Sequence, residues 1–370
     1  MMMDIIDNEE IDRDTVTEEE LQQQFNKQYK LASETTVRIK GSYINKLHVN
    51  DLSKIAVTLQ DNSIEVFELN NTSLSRLCRL SGHHKTCSEV VFHPLEPFLL
   101  FSTGWDGIIK LWDIRVKGTC VQEYKEDNDS AVRPYECMDV SDVGNLFCSG
   151  SQLVKEDAFI VFWDPRSTEP LGGYWESHTD DITQVKFKPD TNGVLASGSS
   201  DGLLNIFNLV EQDEDEALLY SLNAVNTVDK ITWIDSDRVS TITQASELYI
   251  WNVTTGDMIR NYSRDKVARS IKRSRDDDCY LVDTFLASDN TVTLLAGSHG
   301  GDQSTLRSVV ACQRGGRPRL QPASVFRGNQ QVVRALHYDR DDDLLITAGE
   351  AGLINVWRRE NTDSAQHDHR

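Results

Sequence analysis

One unit recurs along this chain, and its spacing constrains the fold more than any other feature. It is a small-residue step, a polar turn carrying Asp, then an alternating strand that ends on an aromatic. The clearest copies run from Ser102 through Asp106 to Trp112 and from Ser197 through Asp201 to Phe207. In both, the Asp stands six residues before the aromatic and the Ser four before the Asp. The same offset pairs Asp61 with Phe67 and Asp157 with Trp163, whereas Ala245 before Trp251 and Ala351 before Trp357 have lost the carboxylate. The aromatic landmarks at 67, 112, 163, 207, 251 and 357 are separated by 45, 51, 44, 44 and 106 residues. The last interval holds two units, one without its aromatic, for which Thr291 to Gly297 and Arg307 to Cys312 read as strands. Seven units result.

Each unit also carries an upstream alternating strand, as in Ile182 to Phe187, Cys87 to Phe92 and Val332 to Tyr338. Period-two alternation with β-branched and aromatic residues is the strand pattern. Four strands in units of roughly 40–45 residues have the period of WD40 propeller blades. One such sheet cannot bury both faces, but blades set radially bury each other's. The expected fold is all-β: a seven-bladed WD40 β-propeller of four-stranded blades with a short acidic N-terminal extension. In a blade of this kind the polar positions form a buried hydrogen-bonded set, tolerable only when its members satisfy one another. The matching residues are His83 or His84, Ser102, Asp106 and Trp112 in one unit, and His178, Ser197 and Asp201 in another. There Phe207 replaces Trp and removes a donor. These residues read as scaffold, not as catalysts.

Composition bears on function more than on fold. With 39% hydrophobic and 26% charged residues, most of the 370-residue chain can bury a core. No long apolar run predicts a transmembrane helix. The acidic start, Met1 to Glu20, lacks the basic and apolar regions of a secretory signal. Cytoplasm or nucleus is the expected location, with no membrane. Seven cysteines without a C-x-x-C pair read as reduced, packed thiols. A net charge of −21 repels nucleic acid and anionic lipid and favours basic partners.

Residues 1–20 hold nine acidic residues against Arg13 alone and read as a solvated tail. Thr17 and Glu20 are spaced as the capping box of a short helix. The expected boundaries are an acidic tail and helix over 1–27, the propeller over 28–357 and a disordered tail over 358–370. Gln28 to Ser33 is the candidate N-terminal strand that closes the ring, with Thr35 to Lys40 as the alternative.

Several stretches resemble one family, the WD repeat-containing protein 89 family. They are Leu153 to Arg166, Ser177 to Phe187, Ser197 to Leu209 with the acidic Glu211 to Ala217, Tyr280-Leu281, Leu294 to Ser298, and Glu20 to Phe25. The resemblance covers about residues 18–357 and implies a seven-bladed propeller in an intracellular protein. It implies no particular biochemical activity.

Two Trp-Asp-x-Arg steps stand in adjacent units, Trp112 to Arg115 and Trp163 to Arg166. The run Phe101 to Arg115 resembles the motif by which WD-repeat substrate receptors dock on the adaptor of cullin-type ubiquitin ligases. Arg115 and Arg166 would project planar charged forks from one rim, or pair with the Asp of their own blade. Trp105 precedes the turn Asp and would anchor an interface if exposed. Glu156 and Glu350 fall at equivalent positions, with Gln60 and Ser200 in two other copies, so a partly acidic face for a basic peptide is expected. The basic stretch of Arg260, Arg264, Lys266, Arg269, Lys272, Arg273 and Arg275 reads as a solvated loop neutralised by Asp276 to Asp278, or else as an import signal or anion site.

Catalytic readings find no support: no Ser-His-Asp grouping or metal-ligand spacing appears, and Gly297 to Gly301 lacks the Lys of a phosphate loop. His93-Pro94 suits a turn after a strand, and His367 and His369 fall in the C-terminal tail. The expectation is a monomeric, non-enzymatic interaction scaffold without metal or cofactor. The alternatives are a substrate receptor for a ubiquitin-ligase adaptor and an acidic assembly factor for basic proteins.

Overall fold

The computed structural model describes residues 12–39, 41–51, 53–116, 118–126, 132–191, 193–300, 304–315 and 317–360. The chain opens with helix α1 (Glu18–Gln24), where the side chains of Thr17 and Glu20 cap each other's backbone N–H groups. Strand β1 (Lys27–Thr36) follows. Five antiparallel four-stranded meanders come next, in sequence order. They are β2 (Ile44–Val49), β3 (Lys54–Leu59), β4 (Ile64–Asn70) and β5 (Ser73–Leu80), then β6 (Cys87–Phe92), β7 (Leu99–Gly104), β8 (Ile109–Asp113) and β9 (Thr119–Tyr124). The third and fourth are β10 (Tyr135–Val140), β11 (Phe147–Ser151), β12 (Ile160–Trp163) and β13 (Pro170–Tyr174), then β14 (Ile182–Phe187), β15 (Val194–Ser199), β16 (Leu203–Asn208) and, after α2 (Glu214–Ala217), β17 (Leu218–Asn223). The fifth is β18 (Val228–Trp233), β19 (Arg238–Thr243), β20 (Leu248–Asn252) and β21 (Asp257–Tyr262).

Helix α3 (Arg264–Ser270) leads into an eight-stranded sheet. Its first half is β22 (Cys279–Leu286), β23 (Val292–His299), β24 (Ser304–Arg314) and β25 (Arg317–Arg327); its second is β26 (Val333–Asp339), β27 (Leu344–Gly349), β28 (Leu353–Arg359) and β1. Strand β1 lies antiparallel to β28 and, through Lys27 to Lys30, parallel to β25, so it joins the two halves edge to edge. Of the two candidate closing segments, Gln28 to Ser33 is the core of this strand. The unit without an aromatic landmark is the β22–β25 half.

The first strands of the meanders, β2, β6, β10, β14, β18, β22 and β26, touch in that cyclic order, and β26 returns to β2. The result is a propeller-like ring. Its core lies between consecutive sheets: Ala56 and Val66 pack with Val90, Phe92 and Trp112, and Ala196 and Ile206 with Val228, Ile231 and Trp251. The circuit ends where Ile346 and Val356 meet Ile44, Ile55 and Phe67. All six aromatic landmarks are buried.

Bulges repeat as faithfully as the strands. Every inner strand slips register near its start, as at Cys87/Glu89, Tyr135/Cys137, Ile182/Gln184 and Val228/Lys230. The fourth strand of each of the five four-stranded sheets slips opposite its landmark, leaving Leu77, Val121, Leu171, Leu219 and Ile259 exposed around the outside. A bulge increases twist and re-aims one side chain, which suits sheets that must splay outwards from a narrow centre.

Three expectations need correction. The acidic start is not wholly solvated, since Asp12 is buried with its carboxylate on Arg273 Nε at 2.7 Å. The basic stretch is not a solvated loop: α3 buries Val267 and Ala268, and Ile271 at its C-cap is buried with them. Arg358 and Arg359 belong to β28 and not to a tail. Residues 361–370, with His367 and His369, lie outside the described residues. The cysteines are free, with Cys87, Cys137, Cys148 and Cys279 buried, and no helix among the described residues is long and apolar enough to cross a membrane.

Candidate interaction faces

The upper end of the ring, where the inner strands begin, is organised by the polar residues of the repeat. In the β6–β9 meander Trp112 Nε1 donates to Ser102 Oγ at 2.8 Å, and Ser102 Oγ lies 2.7 Å from His83 Nε2. His83 Nδ1 lies 3.0 Å from the Asp106 carboxylate, which also accepts the His84 N–H at 3.0 Å. One assignment satisfies every group: indole to hydroxyl, hydroxyl to Nε2, Nδ1–H to carboxylate. Burial alone would raise the Asp106 carboxyl, but the His83 ring and the N–H groups of His84 and Ile108 hold it below the usual range. Of the two histidine candidates, His83 is thus the network member.

The β14–β17 meander repeats the set, with His178 on Ser197 at 2.7 Å and on Asp201 at 3.0 Å. Phe207 supplies no donor, and Asn205 Nδ2 approaches His178 Nε2 at 3.3 Å instead. Two Ser-His-Asp groupings therefore exist, contrary to the sequence reading. Ser102 and Ser197 are fully buried in the sheet interior, so neither hydroxyl can meet a substrate. Trp251 and Trp357 keep the shorter link, donating to Thr241 and Thr347 at 3.1 and 2.9 Å.

The residue before each turn is tied to the start of its own meander's inner strand. Trp105 N donates to Thr86 O at 2.9 Å, and Gln60, Ser200, Gln244 and Glu350 make the matching bond. In the β10–β13 meander this place belongs to Gln152, which donates to Pro134 O. Glu156 is therefore not equivalent to Trp105, because residues 153–157 form an extra turn in which Glu156 adopts a positive φ of 81°. The sequence offset missed this insertion, although the 51-residue interval before Trp163 announced it. Glu350 holds its place but is paired with Arg334.

At the upper mouth of the central channel, Trp105, Lys46, Glu136, Gln184 and Asp229 surround a recess of about 260 Å³. Trp105 is 38% exposed. Glu136 and Asp229 are the residues skipped by the inner-strand bulges, and the alternating pattern alone did not single them out. Below them charges pair across the channel, Lys46 with Glu89 at 2.9 Å and Lys186 with Asp139 at 3.8 Å. The lower mouth, about 480 Å³, is lined by His48, Asp51, Asp142, Trp233 and His337 among others. Burial, with Lys186 and His337 nearby, pushes the His48 imidazole down to about 3.

Arg115 and Arg166 sit at the lower end, each gripping the Asp of its own step. Arg115 Nε and Nη2 donate to Asp113 at 2.9 and 2.7 Å, and Arg166 Nε donates to Asp164 at 2.9 Å. Both remain exposed. Among the described residues no group of His, Cys, Asp and Glu could hold a metal ion.

Residues 74–113, 170–208 and 320–358 match the WD domain, G-beta repeat. The chain is 23% identical to the WD repeat-containing protein 89 homolog of Dictyostelium discoideum, over 80% of this chain and 77% of that one. It is 27% identical to the WD repeat-containing protein GTS1 of Arabidopsis thaliana, over 84% and 79%. An uncharacterized WD repeat-containing protein of Schizosaccharomyces pombe is 24% identical over 70% and 79%. The chain carries WD repeats and is similar along most of its length to the WD repeat-containing protein 89 homolog.

Proposed function

We propose that the protein is a non-enzymatic scaffold whose upper mouth takes a short basic segment of a partner protein. The observation that carries this reading is the half-exposed Trp105 beside a recess edged by Glu136 and Asp229. An indole face attracts an Arg or Lys side chain, and adjacent carboxylates complete its recognition. The −21 net charge steers cationic partners towards it. Buried hydroxyls in both Ser-His-Asp groupings support the non-enzymatic part of the reading.

The test is purification of the tagged protein at low and high salt with mass spectrometry, wild type against Trp105→Ala and against Glu136→Gln with Asp229→Asn. Stoichiometric basic partners that disappear in both variants support the reading. Partners unchanged in both variants overturn it. The ligase-receptor alternative predicts an adaptor lost when Arg115 and Arg166 become Ala; their grip on Asp113 and Asp164 supports a role within the blade instead.

A further inference from the structure

The basic stretch belongs to neither mouth. It folds with the β24–β25 hairpin into a cationic surface on the outside of an otherwise acidic ring. Strands β24 and β25 are eleven residues each, where β8 and β9 have five and six. The hairpin therefore overhangs its neighbour. Beneath α3, Val267, Ala268 and Ile271 pack with Ala311 and Leu320 of the hairpin, while Lys266 and Arg269 face solvent. Tyr262 donates from its hydroxyl to Arg319 O at 3.4 Å, and Arg260 Nη1 donates to Cys312 O at 2.8 Å. These bonds bring the exposed Arg317 and Arg319 beside the helix. Arg269 pairs with Asp265, but no ion pair with Lys266, Arg317 or Arg319 forms among the described residues. Met258 and Ile259, 51% and 40% exposed, precede Arg260 and add an apolar edge.

The far end of α3 already holds an acidic segment, the chain's own Asp12-Arg13-Asp14. Asp12 accepts from Arg273 Nε at 2.7 Å and from the Ser274 and Arg275 N–H groups at 3.1 and 2.9 Å. Asp14 accepts from Arg307 Nη1 and Nη2 at 2.7 and 2.9 Å. Carboxylates spaced along an extended strand thus fit the arginines of this region.

We propose that α3, with Arg317 and Arg319 of β25, binds a short acidic segment of a partner protein, with apolar residues of that segment on Met258 and Ile259. A nucleic acid is disfavoured because its closely spaced phosphates would extend beyond the patch over a surface of the same sign. A short peptide senses only charges within about 8 Å at physiological salt. The scaffold then has a basic-segment site at its mouth and an acidic-segment site on its rim, and the second stands without the first.

The experiment is fluorescence polarisation with a labelled peptide of alternating Asp and Leu, and with labelled polyuridylate as competitor class. It compares wild type with Lys266→Glu, Arg317→Glu, Arg319→Glu combined, all surface positions, with a thermal melt confirming the fold. The expected result is salt-sensitive peptide binding that weakens about ten-fold or more in the variant. Equal binding by the variant, no binding by wild type, or tighter binding of polyuridylate than of peptide each overturns the proposal.

Discussion

The β6–β9 meander and the β22–β25 meander hold equivalent places in the ring but secure their upper ends differently. In the first, four residues of the repeat satisfy one another in line from Trp112 to Asp106. In the second, extending the Thr293–Val310 pairing by one residue sets Ala311 opposite Val292, where the first has Trp112 opposite Leu100. Counting from the inner bulge, Ser298 falls where Asp106 stands. The carboxylate comes instead from Asp12, which accepts from Ser298 and Arg273. A local device has been exchanged for one that recruits the far N-terminus. What both preserve is a buried carboxylate with all its acceptor sites engaged.

Removing each carboxylate tests whether the two devices differ in weight. Asp12→Ala leaves Arg273 buried without its main partner, and a loss of about 3–5 kcal/mol is expected from urea denaturation. A loss below about 1 kcal/mol would mean that the N-terminal segment is decoration. Ser102→Ala leaves the Trp112 indole N–H and His83 Nε2 without their partner, with an expected cost of about 2–4 kcal/mol. Ser197→Ala should cost less, because Phe207 makes no demand on that hydroxyl; equal losses would show that the indole bond contributes little.

Acid separates the devices by charge type. Burial opposes ionisation of Asp12 and Asp106, yet Ser298 and Arg273 in one case and His83 in the other hold their carboxyls below the usual range. Stability from a depressed carboxyl is present above the unfolded-state value and is lost as pH falls through the folded one. Denaturation midpoints from pH 5 down to pH 2 should therefore fall less steeply in Asp106→Asn than in wild type. Parallel curves would show that Asp106 is not the titrating group. The smallest effect belongs to Trp105→Ala, expected to shift stability by no more than about 0.5 kcal/mol while removing partner recovery. A larger destabilisation would make Trp105 a packing residue.

Where the repeat is strong, residues and structure correspond one to one. Ile182 to Phe187 and Cys87 to Phe92 are complete strands, and His93 accepts the N–H groups of Leu95 and Glu96 in the turn that follows. Such features are local, so a short window of sequence contains their whole cause. Glu136 and Asp229 escaped notice because a bulge is a property of a strand pair, and neither strand alone announces it. The docking of Asp12 on Arg273 was illegible for a plainer reason. Its partners lie 261 residues apart, and a charge run looks the same whether it meets water or arginine.

Strand β1 carries a consequence for how the ring assembles. Among the described strands β1 is made first and waits for β28, made last, and contacts of such separation are slow to form. Its parallel pairing with β25 gives it an earlier berth, since Lys27 to Lys30 can dock before β28 exists. Ring closure then becomes the addition of β28 to a seat already built. The meeting of two distant segments becomes a stepwise event, with the exposed edge of an unfinished sheet shortened in time as well as in length.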